Sequence, residues 1–314
     1  MIKAMSRIDR AIRSNIKLRH LQLLVALDQF RHLGRAAEFL SVTQPAVSKT
    51  LAELESLFGV RLFDRSTRGT EPTAYGDSVV RFARTVLAGY QRTREEIASM
   101  ASGAAGRTSV GAMVVALPLV LGQAIDRLKA RSPLTTVLVE EGDLTRLLPR
   151  LRLGELELFI GRLEPGYAAP DLDTEVLFNE PMSIVVAPDH PLAALARPTW
   201  KALAALPWVM PPPWASLRVK LEQVFLAKGL QPPGDTVETA SFLALHTVVR
   251  RRGAAALVAR SVARQFERER LVRVLPVRVP VELPPVGIIT VRGRRNSPSA
   301  DRLIECLRAV APRT

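Results

Sequence analysis

The stretch LGRAAEFLSVTQPAVSKTLAELESLFG, residues 33–59, holds two short helical patterns that meet at a polar junction. Ala36, Ala37 and Leu40 recur at helical spacing, and the pattern stops at Ser41-Val42-Thr43. A second helix is predicted from that point, with Thr43 as its N-cap, Pro45 in its first turn, and Val47, Leu51, Leu54 and Leu57 along one face. The small side chains of Ala36 and Ala37 allow the second helix to cross the first closely. This is the helix-turn-helix arrangement.

Outward from that unit, Leu18, Leu21, Leu24, Val25, Leu27 and Phe30 form an amphipathic helix that covers its apolar side. On the other flank, residues 61–70 (RLFDRSTRGT) place short strand signals around a basic turn. Phe63 is expected to anchor this wing against the core, leaving Arg65 and Arg68 to lie along a nucleic-acid backbone or in its minor groove. Thr43, Gln44, Ala46, Ser48 and Lys49 lie in the early turns of the second helix, away from its apolar stripe. Such a helix, entering the major groove N-terminus first, presents them to bases and phosphates. Gln44 can pair bidentately with adenine, Ala46 can meet a thymine methyl, and Ser48 can bond a base edge or a phosphate. Lys49 suits a phosphate, and Arg19, Gln22 and Arg35 are weaker contact candidates. The same residues would also make an ordinary solvated helix face; the adjoining basic wing favours the DNA reading.

After Pro72-Thr73 a long helical pattern runs from Ala74 to about Ser102. Its apolar residues, among them Val79, Phe82, Val86, Tyr90 and Met100, are too many for a free linker. A dimer-forming helix accounts for them, with Val79, Phe82, Val86 and Tyr90 at the interface; packing on its own chain is the alternative.

The chain has 314 residues, 47% of them hydrophobic and 24% charged, enough for two or three folded domains. Its formal net charge of +14 points to an acidic partner. Residues 1–108 carry 17 Lys and Arg against 10 Asp and Glu, a net +7 in about a third of the length. The single cysteine, Cys306, excludes an intrachain disulfide or a cysteine-rich metal site and reads as a core thiol. The basic N-terminus lacks the apolar run of a secretion signal, and no segment approaches a membrane span, so a cytoplasmic protein without membrane contact is expected.

From residue 109 onward the pattern changes to alternating strand and helix. Strands are expected at 108–113, 137–141 and 156–160, with helices at 118–130 and 144–153, implying a mostly parallel sheet. A second set begins at Val176–Phe178 and Met182–Val186, and a strand at Val286–Val291 precedes a terminal helix. Two α/β lobes result, with a ligand cleft between them as the default site. Ligands of open α/β sheets sit beyond strand ends and near helix N-termini. That rule selects Ala112, Met113, Val114 and Val115 after the first strand, Trp214, Ser216, Leu217 and Arg218 before one helix, and Thr239 and Ser241 before another. Ser216 and Ser241 can cap a helix or bind an anion, Trp214 can cover an apolar ring or a sugar face, and Arg218 can pair with a carboxylate. The first crossover supplies no hydroxyl between Gly111 and Pro118.

The run from Leu21 to Gly76, with AAEFLSVTQPAVSKTLAELESLFGVRLFDRS followed by PTAYG, resembles the N-terminal domain of LysR-type transcriptional regulators. Similar elements continue at Val110-Gly111, LGELELFIG (153–161), PDHPL (188–192) and Gly253–Val258. The resemblance implies an N-terminal winged helix-turn-helix plus a long linker helix, followed by a two-lobed α/β periplasmic-binding-protein-like regulatory domain. Expected boundaries are a variable basic extension at 1–17, the winged domain at 18–76, the linker helix at 77–102, a hinge at 103–108 and the effector-binding domain at 109–310. In the last, lobe I takes 109–180 and 280–310, and lobe II takes 181–279. The resemblance further implies a homodimer or homotetramer on inverted-repeat promoter DNA, a small organic inducer such as a sugar or an aromatic acid, contact with RNA polymerase, and no cofactor or metal. It adds Ser41 and Pro45 to the residues around the recognition helix. Members of that family often carry Ser or Thr after the first regulatory strand, where this chain has Ala112-Met113-Val114.

Other classes fare worse. His20, His32, His190 and His246 are scattered, Ser183 and Ser261 lack a nucleophile-elbow pattern, and neither a Walker loop nor a dinucleotide fingerprint is present, so no enzyme is expected. A solute-binding transport protein would not carry the basic N-terminal unit. A constitutive architectural DNA binder would discriminate weakly between sequences and ignore metabolites.

Overall fold

The computed structural model describes residues 16–66, 69–102 and 106–312. The chain divides into two compact units, one formed mainly by residues up to 104 and a larger one formed by most of the remainder.

In the first unit, α1 (Leu18–Phe30), α2 (Leu33–Phe39) and α3 (Gln44–Phe58) share one core with the start of α4 (Ala74–Ser102). Leu24 and Leu27 from α1, Ala36 from α2, and Val47 and Leu51 from α3 are fully buried. Phe58 takes the last core place on α3, and Leu57, expected there, is half-buried beside it. Ser41 turns the chain between α2 and α3 in the left-handed region, at φ 55°. Gly59, at φ 70°, ends α3.

A hairpin of β1 (Phe63–Ser66) and β2 (Gly69–Pro72) forms the wing, pairing Phe63 with Pro72 and Ser66 with Gly69. Glu55 of α3 holds its entry, accepting from the amides of Leu62 (2.8 Å) and Phe63 (3.1 Å). The amide of Thr70 donates to the Arg31 carbonyl at 2.8 Å, tying the second strand to the α1–α2 turn. Thr73 precedes α4 and its hydroxyl accepts from the Gly76 amide at 3.1 Å. A Cβ on Gly76 would lie 1.9 Å from the Leu62 carbonyl oxygen, so only glycine lets α4 start this close to the wing.

The second unit contains two five-stranded sheets. Lobe I has the order β4-β3-β5-β12-β6, built from β3 (Arg107–Ala112), β4 (Thr136–Glu141), β5 (Leu158–Arg162), β6 (Leu172–Phe178) and β12 (Val286–Val291). Its helices are α5 (Gly122–Arg131), α6 (Leu144–Leu153) and the terminal α11 (Pro298–Val310). Lobe II has the order β11-β7-β10-β8-β9, from β7 (Met182–Val186), β8 (Trp208–Met210), β9 (Thr236–Glu238), β10 (Ala255–Ala259) and β11 (Arg273–Val274). Its helices are α7 (Trp200–Ala204), α8 (Ser216–Ala227), α9 (Phe242–Arg252) and α10 (Arg260–Arg268).

Three differences from the sequence reading have physical reasons. Each sheet is mixed, with two parallel and two antiparallel pairings, where a mostly parallel sheet was expected. Strands preceded by a helix in the same lobe run parallel, whereas β7 and β12 arrive directly from the other lobe and enter in the opposite sense. Second, β6 starts at Leu172 and pairs with β12 in lobe I, within the 109–180 bounds expected for that lobe, although the strand pattern grouped Val176–Phe178 with the second set. Third, β3 begins at Arg107, inside the segment read as a hinge, because Arg107 and Thr108 pair with Thr136 and Val137 of β4. Residues 103–105 of that segment lie outside the described residues.

Candidate nucleic-acid interface and effector cleft

Two faces of α3 divide its labour. Val47 and Leu51 are fully buried, while Thr43, Gln44, Pro45, Ala46 and Lys49 are exposed at the N-terminal end and Ser48 is partly so. Thr43 occupies the N-cap position but makes no side-chain capping bond, which leaves its hydroxyl available outside the helix. Ser41 is exposed in the turn, and Arg19, Gln22 and Arg35 are exposed on α1 and α2. Arg65 of β1 is exposed and its Nη1 donates to Ser48 Oγ at 3.0 Å. Arg68 lies outside the described residues. The structure therefore brings Ser48 and Arg65 together beside the exposed start of α3.

A chain of charges braces this surface. Asp28 accepts from Arg31 at 2.8 Å and from Arg84 of α4 at 2.9 Å, and Arg31 also pairs with Glu71 of the wing. Sequence reading missed these residues, because carboxylates and arginines some 40 to 56 positions apart carry no local pattern.

On α4, Val80 and Ala83 are buried against α1. Tyr75, Phe82, Tyr90 and Ile97 follow steps of seven, eight and seven, lie on one side, and are 61%, 41%, 49% and 62% exposed. Val79 and Val86 sit between the two faces and are half-buried against the first unit's core, so they do not belong to the outward stripe alone.

In the second unit, the ends of β8 and β9 lie side by side, and the residues selected for an effector follow them. Ser216, the first residue of α8, donates to Glu164 Oε1 of lobe I at 2.9 Å, so the lobes touch at this point. Trp214, on the preceding turn, is 72% exposed. Leu217 is packed half-buried against the core. Arg218 is held by Glu222, by Glu238 Oε1 at 2.8 Å and by the Pro211 carbonyl at 3.3 Å. These bonds, that of Glu222 foremost, raise its pKa. Ser241 caps α9 through the Ala244 amide, and Thr239 Oγ1 accepts from the Ser241 amide at 3.0 Å.

The lobe I side departs from expectation. Ala112 and Val115 are core side chains, 0% and 4% exposed, and cannot reach a ligand. Ala112 ends β3, an inner strand flanked by β4 and β5, and Val115 lies in the helical turns from Val114 to Leu121 that follow it, whose side chains join the same core. Met113 lies over Gly161, its sulfur 2.7 Å from where a Cβ would stand there, and Val114 packs beside it on the core. Three grooves of about 410, 530 and 440 Å³ lie elsewhere, on the α11 side of lobe I, between Pro118–Leu119 and α10, and along β11, and none is lined by a selected effector residue. Among the described residues no cluster of His, Cys, Asp or Glu is arranged to hold a metal, and no helix is long and apolar enough to cross a membrane.

Comparison with known proteins decides the family. Residues 18–77 match the model of the bacterial regulatory helix-turn-helix protein, lysR family, and residues 101–312 match that of the LysR substrate binding domain. The chain belongs to the LysR family of transcriptional regulators. This LysR-type regulator is 35% identical over 303 residues to the HTH-type transcriptional regulator GbpR of Azospirillum brasilense, covering 96% of the chain and 88% of the relative. It is 31% identical over 293 residues to the HTH-type transcriptional regulator GalR of Pseudomonas putida strain KT2440, covering 93% of the chain and 73% of that protein. Among solved structures, CbnR, a LysR family transcriptional regulator, matches with a TM-score of 0.73 at 20% identity over 95% of this chain and all of that one. Full-length CbnR complexed with its target DNA matches with a TM-score of 0.72 over 94% of this chain and all of that one. The LysR-type fold is thus shared over about 95% of the chain, and the chain is a DNA-binding transcriptional regulator with an effector-binding domain.

One residue of the LysR-type regulatory domain escaped sequence reading altogether. Arg162 ends β5 with only 4% of its surface exposed. Its Nη1 donates to the Pro284 carbonyl and its Nη2 to the Glu180 carbonyl, both at 2.8 Å. Glu180 and Pro284 lie in the two segments that cross between the lobes. Burial lowers the pKa of Arg162, and the charges of Glu180 and Glu164 oppose that shift. An arginine after the apolar run LELFIG looks like an ordinary strand terminus; nothing local marks it as buried.

Proposed function

We propose that this regulator binds inverted-repeat promoter DNA as a homodimer or an assembly of dimers, and answers to a small organic effector held between its lobes. The observation that carries the DNA reading is the exposed start of α3 beside Arg65: Thr43, Gln44, Ala46 and Lys49 are exposed, while Val47, Leu51 and Leu54 of the same helix are buried. Gln44 serves as a base reader, and Ser48, Lys49, Arg65 and Arg68 serve as backbone contacts. Arg19, Gln22 and Arg35 add peripheral charge and polarity.

One such unit reads too few bases for strong specificity, and pairing two of them reads a two-fold site. The outward stripe of Tyr75, Phe82, Tyr90 and Ile97 supports α4 as the pairing element, since its spacing keeps one face toward a partner helix. Effector binding shifts the balance between two arrangements of the assembly, altering DNA bending or contact with RNA polymerase in the cytoplasm, without catalysis.

The test is fluorescence anisotropy of the purified protein on DNA from its own upstream region and on a scrambled duplex, at moderate salt. A preference of about 10³-fold or more is expected; equal affinity would refute the reading.

A further inference from the structure

We infer that the groove between Pro118–Leu119 and α10 is a binding site for a small phosphorylated metabolite, its phosphoryl group seated on α10 and its organic portion against lobe I. The site is separate from the proposed effector cleft and does not rest on it, since none of the effector residues selected from the sequence lines this groove.

The groove has a volume of about 530 Å³ and is walled by both lobes. Pro118, Leu119 and Gln123 come from lobe I, and Arg260, Ser261 and Arg264 come from α10 of lobe II. Arg268 continues the series, so that Arg260, Arg264 and Arg268 recur every four residues and one face of a nine-residue helix carries three guanidiniums. All three arginines are exposed. The neighbouring groove along β11 is lined by Arg260 and Arg264 again, and by Arg278.

The state of these charges separates the face from an ordinary solvated one. Arg268 donates to Gln265 Oε1 at 2.7 Å. The side chains of Arg260 and Arg264 have no hydrogen-bond or ion-pair partner among the described residues. Both carboxylates of the groove are engaged elsewhere: Glu180 accepts from the Ser261 amide at 2.7 Å, while Glu267 accepts from the Val274 amide at 2.9 Å and pairs with Arg273 at 3.7 Å. Two like charges four positions apart on a helix repel each other, and an anion lying between them reverses that term. Ser261 Oγ, at the start of the same helix, is covered from solvent and has no hydrogen-bond partner, a cost that a ligand oxygen admitted there removes.

The chemistry of these groups selects a phosphoryl group. Its oxygens point in several directions, so each of two guanidinium forks can take its own pair, whereas the two coplanar oxygens of a carboxylate suit one fork. A phosphate monoester carries a charge of about −1.5 to −2 at neutral pH, which offsets both unpaired arginines. The Gln123 amide adds a neutral donor from lobe I. Pro118 and Leu119, both half-buried, give apolar surface to an organic portion that free phosphate lacks.

Isothermal titration and thermal midpoints of the full-length protein at constant ionic strength test this, with inorganic phosphate and phenyl phosphate as probes and chloride as the reference. Phenyl phosphate should raise the midpoint and bind more tightly than inorganic phosphate. The double variant Arg260→Ala, Arg264→Ala should weaken it at least about tenfold. Arg264→Lys, which keeps the charge and loses the fork, should lose part of that affinity. Both variants should keep the parent's midpoint without ligand, because the side chains they change hold no partner. The other source of phosphate for a DNA-binding protein is the duplex, and anisotropy on scrambled DNA across salt concentrations distinguishes it: the double variant should match the parent in affinity and in slope. No binding of either probe, no gain from the phenyl ring, or undiminished binding by the double variant overturns the inference. A flattened salt slope overturns it as well, by assigning the arginines to the DNA backbone.

Discussion

Arg65 of the wing donates a hydrogen bond to Ser48 of the recognition helix at 3.0 Å, so the two are tied before any duplex is present. For the phosphate contact proposed for them, their spacing is thereby set in advance, and less ordering is left for the moment of binding. Both side chains were selected independently from the sequence as DNA contacts; the structure makes them one pair.

Base readers and phosphate contacts separate by what their loss does. Gln44→Ala should lower affinity for the operator by about 1–3 kcal/mol and leave random DNA almost unaffected. Lys49→Ala and Arg65→Ala should weaken both duplexes alike and flatten the salt dependence by about one unit of slope each. Anisotropy at four salt concentrations measures this, and an equal loss on both duplexes from Gln44→Ala would remove its role as a reader.

The pairing helix is tested on residues that touch no core of their own chain. Phe82→Glu with Tyr90→Glu should yield monomers in sedimentation velocity while the thermal midpoint stays nearly constant. Val86→Asp, at a half-buried position against the first unit's core, should lower the midpoint as well. A double variant of unchanged mass would remove α4 from the interface.

Helix propensity and packing disagree about Gly76. In an exposed helix, Gly→Ala adds about 1 kcal/mol of stability. At Gly76 the new methyl would stand 1.9 Å from the Leu62 carbonyl oxygen, and that oxygen also receives the Thr73 amide at 2.9 Å. Overpacking wins, and Gly76→Ala should cost roughly 3 kcal/mol, visible in urea denaturation of the full chain. A neutral or stabilising result would show that the wing can move away from α4 freely.

His190 gives the regulatory domain a dependence on mildly acidic pH. Burial, opposed by the charge of Asp189 and the backbone of Gly253, holds its pKa below the ordinary 6.5. Its Nδ1 accepts from the Leu192 amide at 3.1 Å, which a protonated imidazole could not do at that atom. The unfolded chain therefore takes up the proton first. The stability His190 contributes is complete above its unfolded value of about 6.5 and is lost as pH falls through the lower folded value. His190→Asn keeps a capping acceptor without a titrating group and should flatten the fall in thermal midpoint between about pH 7 and pH 5. Parallel curves for the two proteins would exclude His190 as the cause.

Much of the first unit can be read from local spacing. Val47, Leu51 and Leu54 at helical intervals, Ala36-Ala37 at the crossing and Phe63 at the wing's base each declare their place within a few residues. The second unit is harder because its decisive contacts are distant. Nothing near Val176 says that β6 pairs with β12, more than a hundred residues on, and nothing near Arg162 announces the two carbonyls that claim it. Ala112 and Val115 show the converse: they follow a strand end, as ligand-facing residues do, yet a helical turn that folds back immediately seals them inside.

Arg162 grips both strands of chain that join the lobes, one at Glu180 and one at Pro284. A change in either crossing is therefore felt by the other through a single side chain, and the two connections behave as one joint.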